Sequence, residues 1–544
     1  MASTVGQSSP AAEGWLGLAA HWRGRHLRQM FAEDPHRVET WRRDAAGLSV
    51  DISRHFIDRE SLTQLLGLIR AQGWPGARER LFAGEPVNHT ESRAALHMAL
   101  RASKDRDWRA EGEPVSEAIC HELKRLEAFT RQVHAGELKG ATGKRFRHVI
   151  NIGIGGSHLG PELVVTALDT APEAPDVHFL SNVDPAQARR VLAPLDPAET
   201  LVLVVSKSFT TRETLSNANR AKAWLCEALG EKAIARHFVA ISTNAEAVAR
   251  FGVAPEQQFG FWDWVGGRYS VWSAVGLAAM LHLGPKGFRE LLAGAADMDT
   301  HFEKAPDEDN IPLLLGLIDA QYISAFGWHS WAVIPYSDRL RQLPSYLQQL
   351  VMESNGKGVD SRGNPVSASS PVLLGGTGTD AQHSFFQMFH QGPNPVPVDF
   401  ILAREPDIPE EIEAHHQLVA SCLGQMAALA NGREPSSDAV MAPHQACPGN
   451  RPSGLILMDR VTPRNLGALV ALYEHRTFVQ SLIWGINPYD QMGVELGKQV
   501  ATGALGALDS GQTMGDFARD RWLKEFPGAA PFRVPGQNRG GHQS

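Results

Sequence analysis

What constrains this chain most is a pattern that begins at His148 and repeats: a short apolar run, a turn rich in glycine or hydroxyls, then an amphipathic stretch. The first unit runs His148-Val-Ile-Asn-Ile-Gly-Ile154, through a glycine-rich turn, into an amphipathic segment ending near Leu168. Further strand-like runs occupy Asp176 to Asn182, Thr200 to Ser206 and His237 to Ser242, with helical periodicity between them. The same order returns after about Pro312, with strands expected over Trp331 to Tyr336, Pro371 to Leu374, Val396 to Leu402 and Gly454 to Met458. Strand, turn and helix in alternation specify parallel sheets covered on both faces. A chain of 544 residues exceeds what one core holds, which agrees with two such α/β units joined near Leu283 to Asp309. Residues up to about Gly112 read as helices with charged faces and no strong strand signal.

Composition narrows the function. A formal net charge of -8, with Lys and Arg dispersed, gives no general affinity for nucleic acid, so any bound anion must be held locally. Four cysteines (Cys120, Cys226, Cys422, Cys447) form no CxxC pair and no metal-ligand spacing, which suits a reducing compartment. The start of the chain shows no secretory signal, and the most apolar helical runs are too short to span a bilayer. A cytoplasmic protein is expected, with no metal and no cofactor.

In open α/β sheets, ligands bind beyond the carboxyl ends of the strands. Two turns there suit an anion. In Gly153-Ile-Gly-Gly-Ser157-His-Leu-Gly160, glycines let backbone N–H groups approach a ligand at a helix N-terminus. In Ser206-Lys207-Ser208-Phe-Thr-Thr211, four hydroxyls and an ammonium fall within six residues, and Thr210-Thr-Arg-Glu213 reads as a capping box. Either turn alone is also what an ordinary structural turn looks like. A dinucleotide site fits the first poorly, because the sixth position of GxGxxG counted from Gly153 is His158. Two such turns on consecutive crossovers favour a compact phosphate monoester.

Candidates for proton chemistry lie further along. Gln349 and Glu353 are four apart in a helical stretch over Leu340 to Glu353, hence on one face, and Glu353 stands at its carboxyl end. An ordinary solvated Glu has the same spacing. Arg268 follows a Gly-Gly turn and offers a planar fork for an enediolate, although a surface arginine would look alike. His383 follows Thr379-Asp-Ala-Gln382, a second capping-box pattern, which places it in the first turn of a helix. Gln491 and Lys498 are seven apart and share a helical face, with Glu495 available to pair with Lys498. No HExxH and no GxSxG occurs.

Six segments, in order, now carry a resemblance. They are Ile152 to Pro161, Ser206 to Thr214, Gly266 to Ser270, Met352 to Lys357, Gln382 to Phe385 and Tyr489 to Lys498. Together they resemble the glucose-6-phosphate isomerase family. The resemblance implies two SIS-type α/β domains, over 113–284 and 285–495. A helical region over 1–112 and a C-terminal arm over 496–544 would flank them, with a tail from Phe526 that is loose or wraps a neighbour. It implies a homodimer with shared active sites and a reversible glucose 6-phosphate to fructose 6-phosphate isomerisation through a cis-enediol. Gly156, Ser157, Ser206, Lys207, Ser208 and Thr211 would hold the phosphate, with Gln349 and Gln491 lining the site. Glu353 would be the base, Arg268 would stabilise the enediolate, and His383, from the partner subunit, and Lys498 would serve ring opening. The sequence departs from the family's usual residues at His158, Ser208 and Met492, and over Thr379 to Gln382; none of these removes a catalytic group.

Overall fold

The computed structural model describes residues 10–102, 106–433 and 440–510. Thr200–Val205 (TLVLVV) is buried at all six positions, the sign of a strand covered on both faces. It lies at the centre of a five-stranded sheet, in the order Asp176–Leu180, His148–Ile152, Thr200–Val205, Phe238–Ile241 and Gln258–Phe259. Every pairing in this sheet is parallel, with Ile152 opposite Val204 and Val205 opposite Ile241. The last short strand had not been expected.

A second sheet contains the four strands expected after Pro312. Val372–Gly375, Ser330–Tyr336, Val398–Ala403 and Ser453–Met458 are parallel neighbours. Two more strands extend it and correct the all-helical reading of the N-terminal region. Leu48–Arg54 pairs antiparallel with Ser453–Met458, and Arg42–Ala45 pairs antiparallel with Leu48–Arg54. The alternation Leu48, Val50, Ile52 was present, but Ser49, Asp51 and Ser53 between them are buried too, because this strand is internal to the sheet. Its hairpin turns at Ala46 and Gly47, both at positive φ (52° and 75°). Ala-Gly supplies that two-residue turn in place of the Asn-Gly or Asp-Gly that would have announced it.

The segment between the sheets is helical. Leu277–Lys304 breaks at Gly284 (φ 71°, ψ 165°), directly before Pro285, where a helix can begin again. Ile311–Ser324 is buried over Ile311 to Ile323, and Pro463–Trp484 is buried along most of its length, so both are core helices without a solvent-facing side. Chain contacts separate a compact unit, Met1–Tyr489, from a second one, Asp490–Ser544. Within the second, the helix Met492–Ser510 runs unbroken past position 495 and leaves Met492, Val494, Leu496, Val500 and Leu505 exposed. The tail from Phe526 lies outside the described residues. Among the described residues no helix is long and apolar enough to cross a membrane.

Candidate active site

The pairing of Ile152 with Val204, and of Val205 with Ile241, puts three strand ends side by side. The chain leaves the first through Gly155 (φ 59°) and enters the helix Gly156–Ala167, with Ser157 in its first turn. The middle strand leads into the hydroxyl turn. There Ser206 is buried, its Oγ donates to Thr211 Oγ1 at 3.3 Å, and Ser208 Oγ and Thr210 Oγ1 share a hydrogen bond of 2.6 Å. The expected capping box of Thr210 and Glu213 does not form: Thr210 Oγ1 pairs with Ser208, and Thr211, the residue that directly precedes the helix Arg212–Leu229, makes no side-chain cap. Its hydroxyl faces Ser206 instead, and a helix start without a side-chain cap leaves N–H groups available to a ligand. Phe209 holds the turn's middle at φ 52°, a costly conformation for a bulky residue, with its ring buried against Phe251 at 5.7 Å.

The third strand end had no role in the sequence reading, yet it secures this turn. The Lys207 carbonyl accepts from Ser242 Oγ (3.0 Å), Thr243 Oγ1 (2.8 Å) and Thr243 N–H (3.0 Å), and Asn244 Nδ2 donates to the Ser208 carbonyl (3.0 Å). A run of small hydroxyl and amide residues after an apolar strand was the signal available. The Lys207 ammonium reaches the Asp263 carbonyl (3.1 Å), and burial pulls its pKa below the usual lysine value.

Gly156 is the point where this turn meets the arginine. A Cβ at Gly156 would lie 2.0 Å from the Gly267 carbonyl oxygen and 2.8 Å from the Arg268 nitrogen, so only glycine allows the approach. Arg268 is buried. Its Nε donates to Ser354 Oγ (2.6 Å), its Nη2 donates to the Pro488 carbonyl, and its Nη1 lies 3.6 Å from Glu353 Oε2. Ser354 Oγ is also shared with Tyr269 OH (3.0 Å), and Tyr346 OH donates to the Arg268 carbonyl (3.3 Å). Ser354, Tyr269 and Tyr346 were missed, because nothing in linear spacing joins positions 269, 346 and 354.

The helix that carries Gln349 and Glu353 is not uniform. Leu343–Leu347 is α-helical and Gln348–Glu353 is a π turn, a widened form frequent at functional sites. Gln349 lies against the first turn, its Nε2 2.9 Å from where a Gly155 Cβ would be, while Glu353 reaches Arg268. The helix end is fixed by Lys357 Nζ, which donates to the carbonyls of Glu353 (2.8 Å) and Ser354 (3.0 Å). Asn355 Nδ2 adds bonds to Gln480 Oε1 (2.9 Å) and the Thr477 carbonyl (3.1 Å).

The structure does not bring every expected residue together. His383 ends a short 3-10 turn, Asp380–His383, rather than opening an α-helix, and Thr379 makes no side-chain cap; this corrects the helix-start reading. His383 is exposed and forms no hydrogen bond with Glu353. In the second unit, Gln491 stands just before the helix rather than on it, and Lys498 pairs with Glu495 at 2.8 Å, the surface arrangement its spacing allowed. His158, beside Ser157, packs on Phe179 and lies 3.2 Å from Glu162; burial pushes its pKa down to about 4. Among the described residues no three His, Cys, Asp or Glu side chains are grouped to hold a metal ion.

Parallel strands that end side by side at a glycine turn and a hydroxyl turn, each leading into a helix, with a buried arginine facing a carboxylate beside them, make up an α/β protein with a polar site at its strand ends. The comparisons narrow this to one family. The Phosphoglucose isomerase family model matches residues 51–520, and the chain belongs to that family. Among its relatives, the glucose-6-phosphate isomerase of Burkholderia orbicola (strain MC0-3) is 49% identical over 505 residues, covering 89% of this chain and 92% of that one. That of Deinococcus deserti is 48% identical over 503 residues, covering 90% and 92%. The crystal structure of a glucose-6-phosphate isomerase from Chlamydia trachomatis superposes with a TM-score of 0.84 at 32% identity, over 95% of this chain and 98% of that one.

Proposed function

We infer that this enzyme interconverts glucose 6-phosphate and fructose 6-phosphate by ring opening and proton transfer through a cis-enediol intermediate, in glycolysis and gluconeogenesis. The observation that carries the reading is the buried Arg268 set 3.6 Å from Glu353, one glycine contact away from the phosphate turns. Ser157, Ser206, Ser208 and Thr211 bind the phosphate, together with backbone N–H groups from Gly156 onward. Binding there uses the non-reacting end of the sugar to place C1 and C2 over Glu353. The carboxylate takes a proton from one carbon and returns it to the neighbouring one. Arg268 stabilises the oxygen charge as it develops, and its burial makes that stabilisation stronger than it would be in water. Gln349 contacts the sugar hydroxyls.

Ring opening needs an acid and a base on the ring oxygen and the anomeric hydroxyl. His383 and Lys498 take these roles, with Gln491 lining the site, and His383 serves the active site of a second copy in a homodimer. The exposure of His383 supports this. Two catalytic domains over 113–284 and 285–495, the second with its sheet completed by the antiparallel strands Arg42–Ala45 and Leu48–Arg54, and a cytoplasmic location complete the reading. Glu353→Gln tests it: kcat should fall by about 10²–10⁴, the loss typical of a general base, while a phosphorylated competitive inhibitor binds almost unchanged. In D₂O the wild type should place some deuterium at the transferred position, and EDTA should not slow it. Near-normal turnover in Glu353→Gln would exclude Glu353 as the base.

A further inference from the structure

Lys207 sits in the phosphate turn, but its ammonium is directed elsewhere. Nζ lies 3.1 Å from the Asp263 carbonyl, 3.4 Å from the Val265 carbonyl and 3.4 Å from Asp263 Oδ1. Two of the ammonium's three N–H donors therefore go to carbonyls, and its charge faces the Asp263 carboxylate as an ion pair. Both carbonyls belong to the segment that continues through Gly266 and Gly267 into Arg268. Gly156 abuts the same segment, its would-be Cβ 2.0 Å from the Gly267 oxygen. The two phosphate turns therefore meet one loop from two sides, one by backbone packing and one through Lys207. The base of this strut is also fixed, since the Lys207 carbonyl accepts from Ser242 and Thr243. At its far end the loop delivers Arg268 to Glu353 at 3.6 Å. Partial burial of the ammonium disfavours its charge, a cost that hydrogen bonds to two carbonyls and a carboxylate offset.

We propose that Lys207 is a positioning residue: it ties the 263–268 loop to the phosphate turn, so that a seated phosphate and the Arg268–Glu353 pair keep a fixed relation, and it does not ligate the phosphate. The proposal rests on the reading of the 206–211 turn as the phosphate site. It predicts a defect in turnover where a direct ligand would give a defect in binding.

Full-length wild type, Lys207→Met, Lys207→Arg and Asp263→Asn are compared with fructose 6-phosphate as substrate and inorganic phosphate as the competing probe. Lys207→Met should lose about tenfold or more in kcat, while the inhibition constant of inorganic phosphate moves by less than about threefold. Lys207→Arg can still donate to both carbonyls and should recover most of that kcat. Asp263→Asn keeps the carbonyls and should lose only about twofold to threefold in kcat, with phosphate inhibition unchanged. Weakening of phosphate inhibition by about tenfold in Lys207→Met, with kcat within about twofold, would identify a direct ligand and overturn the proposal; so would no change in either quantity. If thermal melting shows Lys207→Met to be unfolded, the other two variants decide. Loss of kcat in Lys207→Arg as severe as about tenfold, or tighter phosphate inhibition at unchanged kcat in Asp263→Asn, would each overturn it. Wild-type enzyme that neither turns over fructose 6-phosphate nor is inhibited by inorganic phosphate would instead remove the functional reading underneath.

Discussion

A single methyl group at position 156 probes the contact on which the candidate site depends. In Gly156→Ala the new Cβ would stand 2.0 Å from the Gly267 oxygen, 2.2 Å from the Gly267 carbonyl carbon and 2.8 Å from the Arg268 nitrogen. All three are backbone atoms, so no side chain can rotate away. Restoring ordinary contact, which starts at 3.4 Å, requires the helix start and the arginine turn to separate by about 1.4 Å. Forcing such a shift in packed structure costs about 1–3 kcal/mol of stability. The turn that must yield carries Arg268, and a misplacement of about 1 Å in a catalytic group costs ~10²-fold in rate. The expected result is a folded enzyme, less stable by about 1–3 kcal/mol in denaturant unfolding, with kcat/KM for fructose 6-phosphate reduced ~10²-fold. Formation of glucose 6-phosphate, coupled to its NADP-dependent oxidation, reads the rate. Activity within about threefold of wild type and stability within ~0.5 kcal/mol would refute the close approach of the two turns.

Three further perturbations address other parts of the site. Ser206→Ala and Thr211→Ala should mainly raise KM, each losing about 0.5–3 kcal/mol of phosphate binding; comparable kcat/KM for glucose and its 6-phosphate would contradict the cradle assignment. Mixing inactive His383→Ala chains with inactive Glu353→Gln chains should partly restore activity, because hybrids assemble one site with both residues intact; no recovery despite proven subunit exchange would place His383 in its own subunit's site. The pKa of His158 falls from 6.5 to about 4 on folding, so between those values the unfolded chain binds the proton and the folded one does not. The contribution of His158 is therefore fully present above 6.5 and is lost as pH falls toward about 4, at up to about 1.4 kcal/mol per pH unit. His158→Gln should flatten the unfolding free energy over that window, and an unchanged acid limb would show that His158 is not buried as a neutral ring.

Features that depend on local order along the chain are legible from the residues alone. Apolar runs such as Thr200–Val205 and Ser330–Tyr336, each followed by a turn and a helical period, specify parallel strands and place the glycine and hydroxyl turns at strand ends. Local order also carries Gly153 to Ser157 and Ser206 to Thr211, because a strand-to-helix turn is built from consecutive residues. It misled at the capping boxes expected from Thr210 and Thr379, where the pattern is present and the cap hydrogen bond is not. Whether a hydroxyl caps its own helix or turns toward a neighbour is decided outside the motif, here by Ser208, which pairs with Thr210. It also missed Leu48–Arg54, although Leu48, Val50 and Ile52 alternate there with Ser49, Asp51 and Ser53; that this strand lies inside a sheet, with the polar residues buried as well, is set by its two neighbouring strands. Long-range packing, by contrast, sets Gly156 against Gly267, Ser354 against Arg268 and Tyr269, and Lys207 against the 263–268 loop. These contacts join residues tens to more than a hundred positions apart, and their geometry is set by how two turns pack, which no periodicity in one stretch of chain encodes.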